Sequence, residues 1–68
     1  MITFQQRKNK NLVYAEHVPA MDNIIDYWKG IGTVRVFKGH VFIQWISFHY
    51  FKELMIREKI PFQVLTQI

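Results

Sequence analysis

Thr33-Val34-Arg35-Val36-Phe37-Lys38-Gly39-His40-Val41-Phe42-Ile43-Gln44-Trp45-Ile46, residues 33–46, is the stretch that decides the fold. Two runs of strand-forming residues flank Lys38-Gly39, and glycine accepts the positive φ that a two-residue hairpin loop needs. With those two residues as the loop, Phe37 pairs with His40, Val36 with Val41, Arg35 with Phe42, and Val34 with Ile43. Side chains alternate across a strand, so one face carries Val34, Val36, Val41, Ile43 and Trp45. The other carries Thr33, Arg35, Phe37, His40, Phe42, Gln44 and Ile46. The first set is apolar and must face helices. The second is mixed.

Upstream, Ile2 to Gln6 alternates apolar and polar residues, and Leu12 to Val18 is rich in strand formers. Between them Arg7-Lys8-Asn9-Lys10-Asn11 makes a polar turn, which predicts a second hairpin with a basic tip. Pro19 ends it. Met21, Ile24, Ile25 and Trp28 then follow the i, i+3, i+4, i+7 spacing of an amphipathic helix of roughly three turns. Pro19 suits its first turn, Asp22 the positive end of its dipole, and Lys29-Gly30 its stop.

Downstream, Ser47 is the expected N-cap of a second helix running to about Lys59. Its apolar face is expected to carry Tyr50, Phe51, Leu54 and Met55, with Phe48 at the margin. His49, Lys52, Glu53, Arg57 and Lys59 lie around the other side. Pro61 ends this helix, and Phe62 to Ile68 reads as a last strand with Phe62, Val64 and Ile68 on one side. That strand is either paired into the sheet or offered as an edge. The expected fold class is α+β: one small domain in ββαββαβ order, an antiparallel or mixed sheet with two helices packed on one face. Periodicity leaves the strand order open.

Sixty-eight residues suffice for one domain, and a chain this short buries only about 60% of its unfolded surface. Half of the residues are hydrophobic and 16% aromatic, which favours folding over disorder. Without cysteine there is neither a disulfide nor a thiolate metal site to reinforce the core. Nothing at the N-terminus reads as a signal peptide, and the apolar stretch Val41 to Phe51 is far short of the roughly 20 residues that span a bilayer. A cytoplasmic protein without a membrane partner is expected. The net charge of +4 and pI near 9.7 modestly favour an acidic partner.

The mixed face of the central hairpin is the first candidate site. Phe37 and Phe42 lie close together there, flanked by Arg35, His40 and Gln44, with Lys38 at the turn. Aromatics beside cations stack bases while the cations hold phosphates. The same composition marks the centres of protein–protein interfaces. Alternatively, the first hairpin or the last strand folds over this face and makes both rings core. Arg7, Lys8 and Lys10 form a second cationic cluster, which either grips an anionic partner or merely keeps a hairpin tip solvated.

His17, His40 and His49 sit on separate elements without a second ligand at helical or strand spacing, so no metal or cofactor is expected. Glu16 points to the face of its strand opposite to His17. Asp22 and Asp26 share a helix face at i, i+4 and are expected to solvate it. Ser47 reads as a cap rather than a nucleophile, and catalysis by this chain is not expected. Ile56 falls in the polar face of the second helix. With Ile60 and the last strand it could form a homodimer contact.

A short chain rich in isoleucine, lysine and aromatics is similar in composition to the small accessory proteins of bacteriophages and mobile elements in AT-rich bacteria. That resemblance rests on no motif. It implies a protein that occupies the working surface of a host protein. The leading expectation is therefore a non-enzymatic binding protein that docks on a larger protein and inhibits or modulates it. Phe37, Phe42 and Arg35 make the contact, and Arg7, Lys8 and Lys10 steer it. The second expectation is a small basic DNA- or RNA-binding protein using the same residues.

Overall fold

The chain runs β1 (Ile2–Arg7), β2 (Leu12–Glu16), a helical segment, β3 (Val34–Phe37), β4 (His40–Gln44), α2 (Trp45–Arg57) and β5 (Phe62–Thr66). In the helical segment, 3-10 turns at Pro19–Met21 and Asp26–Trp28 flank one α-helical turn, α1 (Asp22–Ile25). The computed structural model describes residues 1–7 and 11–66. The expected ββαββαβ order is the observed one. The five strands form a single mixed sheet in the order β3-β4-β2-β1-β5.

The central hairpin has the register anticipated from its turn: Val34–Ile43, Arg35–Phe42, Val36–Val41 and Phe37–His40. Lys38 (φ 49°) and Gly39 (φ 78°) both take positive φ, as a two-residue loop matching the strand twist requires. Glycine does this freely, whereas lysine is held in a region where its Cβ crowds the following carbonyl. Lys38→Asn, which creates the favoured Asn-Gly loop, is expected to raise stability by roughly 0.5–1 kcal/mol. A thermal melt followed by circular dichroism would register this as a higher midpoint.

β4 pairs antiparallel with β2, β2 antiparallel with β1, and β1 parallel with β5. β4, β1 and β5 therefore run the same way, and α2 is the crossover that carries the chain from β4 across β2 and β1 to β5. Parallel pairing needs such a long return, which a hairpin loop cannot supply.

One face of the sheet builds the core. Phe4, Val13, Ala15, Val34, Val41 and Ile43 meet Met21 and Ile24 from the first helical segment and Phe48, Phe51 and Met55 from α2. Both helical segments thus lie on one face. Rings lock the centre: Phe4 stands edge-on to Phe48, Phe51 and Phe62 at centroid distances of 5.2, 6.0 and 5.6 Å.

Several local expectations need correction. Helix α2 starts at Trp45, with Gln44 as its cap residue and no capping side chain, so Ser47 is not the N-cap. The strand stops at Gln44 because its partner Leu12 is the first residue of β2. Beyond it, the Trp45 N–H donates to the Asn11 carbonyl and the chain turns into helix. Ser47 is buried, and its hydroxyl donates to Thr33 Oγ1 at 2.7 Å, joining α2 to the start of β3. Trp45 is consequently a helical residue, half exposed, instead of an inward strand residue.

The buried stripe of α2 is Phe48, Phe51 and Met55, and Tyr50 faces water at 61% exposure. The run Phe48-His49-Tyr50-Phe51 has apolar residues on more than one side. Water accepts the phenol, so it is the phenylalanines that turn inward. Val36 is on the helix-side face by register yet 47% exposed, because β3 is the sheet edge. Ile56 is exposed, as its place in the polar face implied. Ile68 lies outside the described residues. No helix among the described residues is long and apolar enough to cross a membrane.

Candidate functional site

Among the described residues, no helix or loop covers the face of the sheet turned away from the helices. The first hairpin and last strand, which could have folded over it, extend the sheet edge to edge instead. Strand pairing therefore brings residues far apart in sequence into rows across this outer face. The central row runs Arg35, Phe42, Tyr14, Gln5 and Leu65, one residue from each strand. A second row, toward the Lys38-Gly39 turn, holds Phe37, His40 and Glu16. A third, toward the basic tip, holds Gln44, Leu12 and Arg7.

Six of the eight residues expected to bind lie on or beside this face: Arg7, Arg35, Phe37, Lys38, His40 and Phe42. Arg7 reaches the aromatics, lining a shallow hollow of about 340 Å³ with Tyr14, His40 and Phe42. The two hairpins thus contribute to one surface. Lys8 and Lys10 lie outside the described residues.

The rings are arranged in a definite way. Phe42 stacks on Tyr14 with centroids 6.1 Å apart and planes 28° from parallel, within the range of an offset pair. His40 flanks both at 6.3 and 6.5 Å, and its Nδ1–H donates to the Lys38 carbonyl at 3.2 Å. The Tyr14 hydroxyl donates to Gln5 Oε1 at 2.9 Å. Phe37 projects at the corner, 60% exposed, with the Lys38 ammonium 5.3 Å from its centroid. Such a cation over a ring adds about 0.5–1 kcal/mol at an exposed site.

Charge on this face is one-sided. Arg7, Arg35 and Lys38 make no ion pair with a carboxylate among the described residues, and Glu16 is the one acid in the three rows. The remaining polar groups are neutral: Gln5, Gln44, and Thr3 with Gln63, whose Nε2 donates to Thr3 Oγ1 at 2.9 Å.

Tyr14 was missed as a site residue. Alternation in β2 already separates it from Val13 and Ala15, but only the strand order shows that β2 lies beside β4. The His17–Asp22 contact was missed as well. The two are 2.7 Å apart, the ring N–H donating to the carboxylate. Asp22 thus ties the end of β2 to the first helical segment and does more than solvate its helix. No group of three histidine or acidic side chains that could hold a metal ion occurs among the described residues.

Comparison with protein-family models, curated proteins and solved structures finds no match to this chain.

Proposed function

We propose that this chain is a non-enzymatic binding protein that docks on a larger protein through its outer sheet face, inhibiting or modulating that protein. The observation that carries this reading is how the rings of the outer face use their own faces. Base stacking needs a ring face open to solvent. Here Phe42 and Tyr14 stack on each other, and one face of Phe37 is taken by Lys38. Beside these rings stand Arg7 and Arg35, which make no ion pair with a carboxylate among the described residues. Tyrosine and arginine dominate the hot spots of protein interfaces, and lysine and glutamate are depleted there.

A second reading, a nucleic-acid-binding face, draws on the excess of cations over the single acid, Glu16. Salt separates the two. A complex held by phosphate contacts weakens steeply as salt rises. A hot-spot interface tolerates salt and depends on a few side chains.

The test is capture by the tagged protein from lysate of its own source cells, with and without nuclease, alongside Phe37→Ala and Arg35→Ala. One discrete protein is expected to survive nuclease and moderate salt on the wild type. Each variant is expected to weaken that complex by about 2 kcal/mol, roughly thirtyfold, without lowering its own melting temperature. Recovery of nucleic acid alone, lost after nuclease, would move the assignment to the second reading.

A further inference from the structure

The pairing of β1 with β2 stops short. Partners run from Arg7–Leu12 to Gln5–Tyr14 and go no further. Yet β1 stays paired with β5 back to Ile2, and β2 stays paired with β4 out to Glu16. Two strands in the middle of the sheet therefore lose their mutual ladder at one end while each remains held by its other neighbour. A cleft of about 490 Å³ opens there.

The cleft has a consistent chemical layout. Partly buried Ile2, Val18 and Ile60, with Ala15, supply apolar walls. Thr3, Gln5, Tyr14, Glu16 and His40 stand on the outer-face side of the same cleft. Tyr14 and His40 also belong to the aromatic cluster, so cleft and docking face are continuous. Ile2, Val18 and Ile60 already pack against the core, and filling the cleft would finish their burial. Protein interfaces gain most where one bulky side chain enters such a pocket beneath a polar rim.

We propose that this cleft is an anchor pocket that takes one bulky apolar side chain of the docked protein, with Glu16 and His40 at its rim facing the adjoining main chain. The proposal rests on the reading of the outer face as a protein-docking surface. It commits that partner to a segment presenting a large apolar residue.

The test uses the isolated protein, labelled with ¹⁵N, and N-acetyl-tryptophanamide as the probe. Saturable shifts are expected at the amides of Thr3, Ala15, Glu16 and His40, with none from N-acetyl-glycinamide. Thr3→Trp and Glu16→Trp plug the cleft from opposite walls at positions outside the core, and each is expected to weaken the probe at least tenfold. Should one variant fold poorly, the other and the wild-type shift map still decide. Absence of saturable shifts at those amides, or shifts that survive both plugs, would overturn the proposal. So would stronger shifts there with adenosine monophosphate, which would favour a nucleotide. Cellular capture that fails with Phe37→Ala yet survives both plugs would remove the pocket and leave the docking face standing.

Discussion

Phe4→Ala is expected to take away most of the stability of this domain. Phe4 is fully buried in β1, and its ring meets Phe48, Phe51 and Phe62 edge-on. Removing a buried phenylalanine ring costs about 3–5 kcal/mol, from lost transfer energy and from the cavity left behind. A domain of this length is stable by only about 3–10 kcal/mol in all. The neighbours cannot collapse into the gap easily, since α2 and β5 are each fixed to the sheet by other contacts. In a urea titration followed by circular dichroism, the variant should be largely unfolded in little or no urea. Phe4→Leu, which keeps most of the volume, should retain a cooperative transition. A Phe4→Ala midpoint close to wild type would show that the ring cluster is not the keystone described above.

The second large effect is expected at Phe51. This buried ring of α2 packs on Trp28 of the first helical segment at 5.4 Å and on Phe4 of the sheet at 6.0 Å. It is where both helical segments and the sheet meet. Phe51→Ala should again cost about 3–5 kcal/mol, with a local signature besides. Trp28 is partly buried against Phe51, so truncation should admit water beside the indole and shift its emission to the red. A Trp45→Phe background isolates that signal, because Trp45 is the other tryptophan. Loss of stability without a change at Trp28 would mean that Phe51 holds α2 to the sheet and not to the first helical segment.

Local chemistry made the central hairpin legible residue by residue. Lys38-Gly39 specifies a two-residue loop, and such a loop dictates every pair that follows. Helix α2 was legible as an element but not in its phase. Its start depends on where β2 begins, at Leu12, and no periodicity within residues 45–57 reports that. Tyr50 was misplaced because Phe48, Tyr50 and Phe51 satisfy more than one helical face until a sheet is laid against them. Strand order was out of reach for the same reason, since the alternation of β1 says which side faces the core and nothing about its neighbours. Of the candidate face, Arg35, Phe37 and Phe42 were readable from one hairpin. Tyr14, and the arrival of Arg7 beside it, depended on a pairing between hairpins.

The parallel pair of β1 and β5 sets a condition on how this chain acquires its shape. Ile2 meets Phe62, and Phe4 meets Val64. Each hairpin can close early, for its loop is short and little entropy is lost in bringing its arms together. The β1–β5 ladder joins residues sixty positions apart, a high contact order that slows the final step. As the chain leaves the ribosome, β1 emerges before the other four strands and its partner β5 after them. Until then one flank of β1 stays unpaired beneath Phe4, and completion of the sheet waits on the segment synthesised after α2.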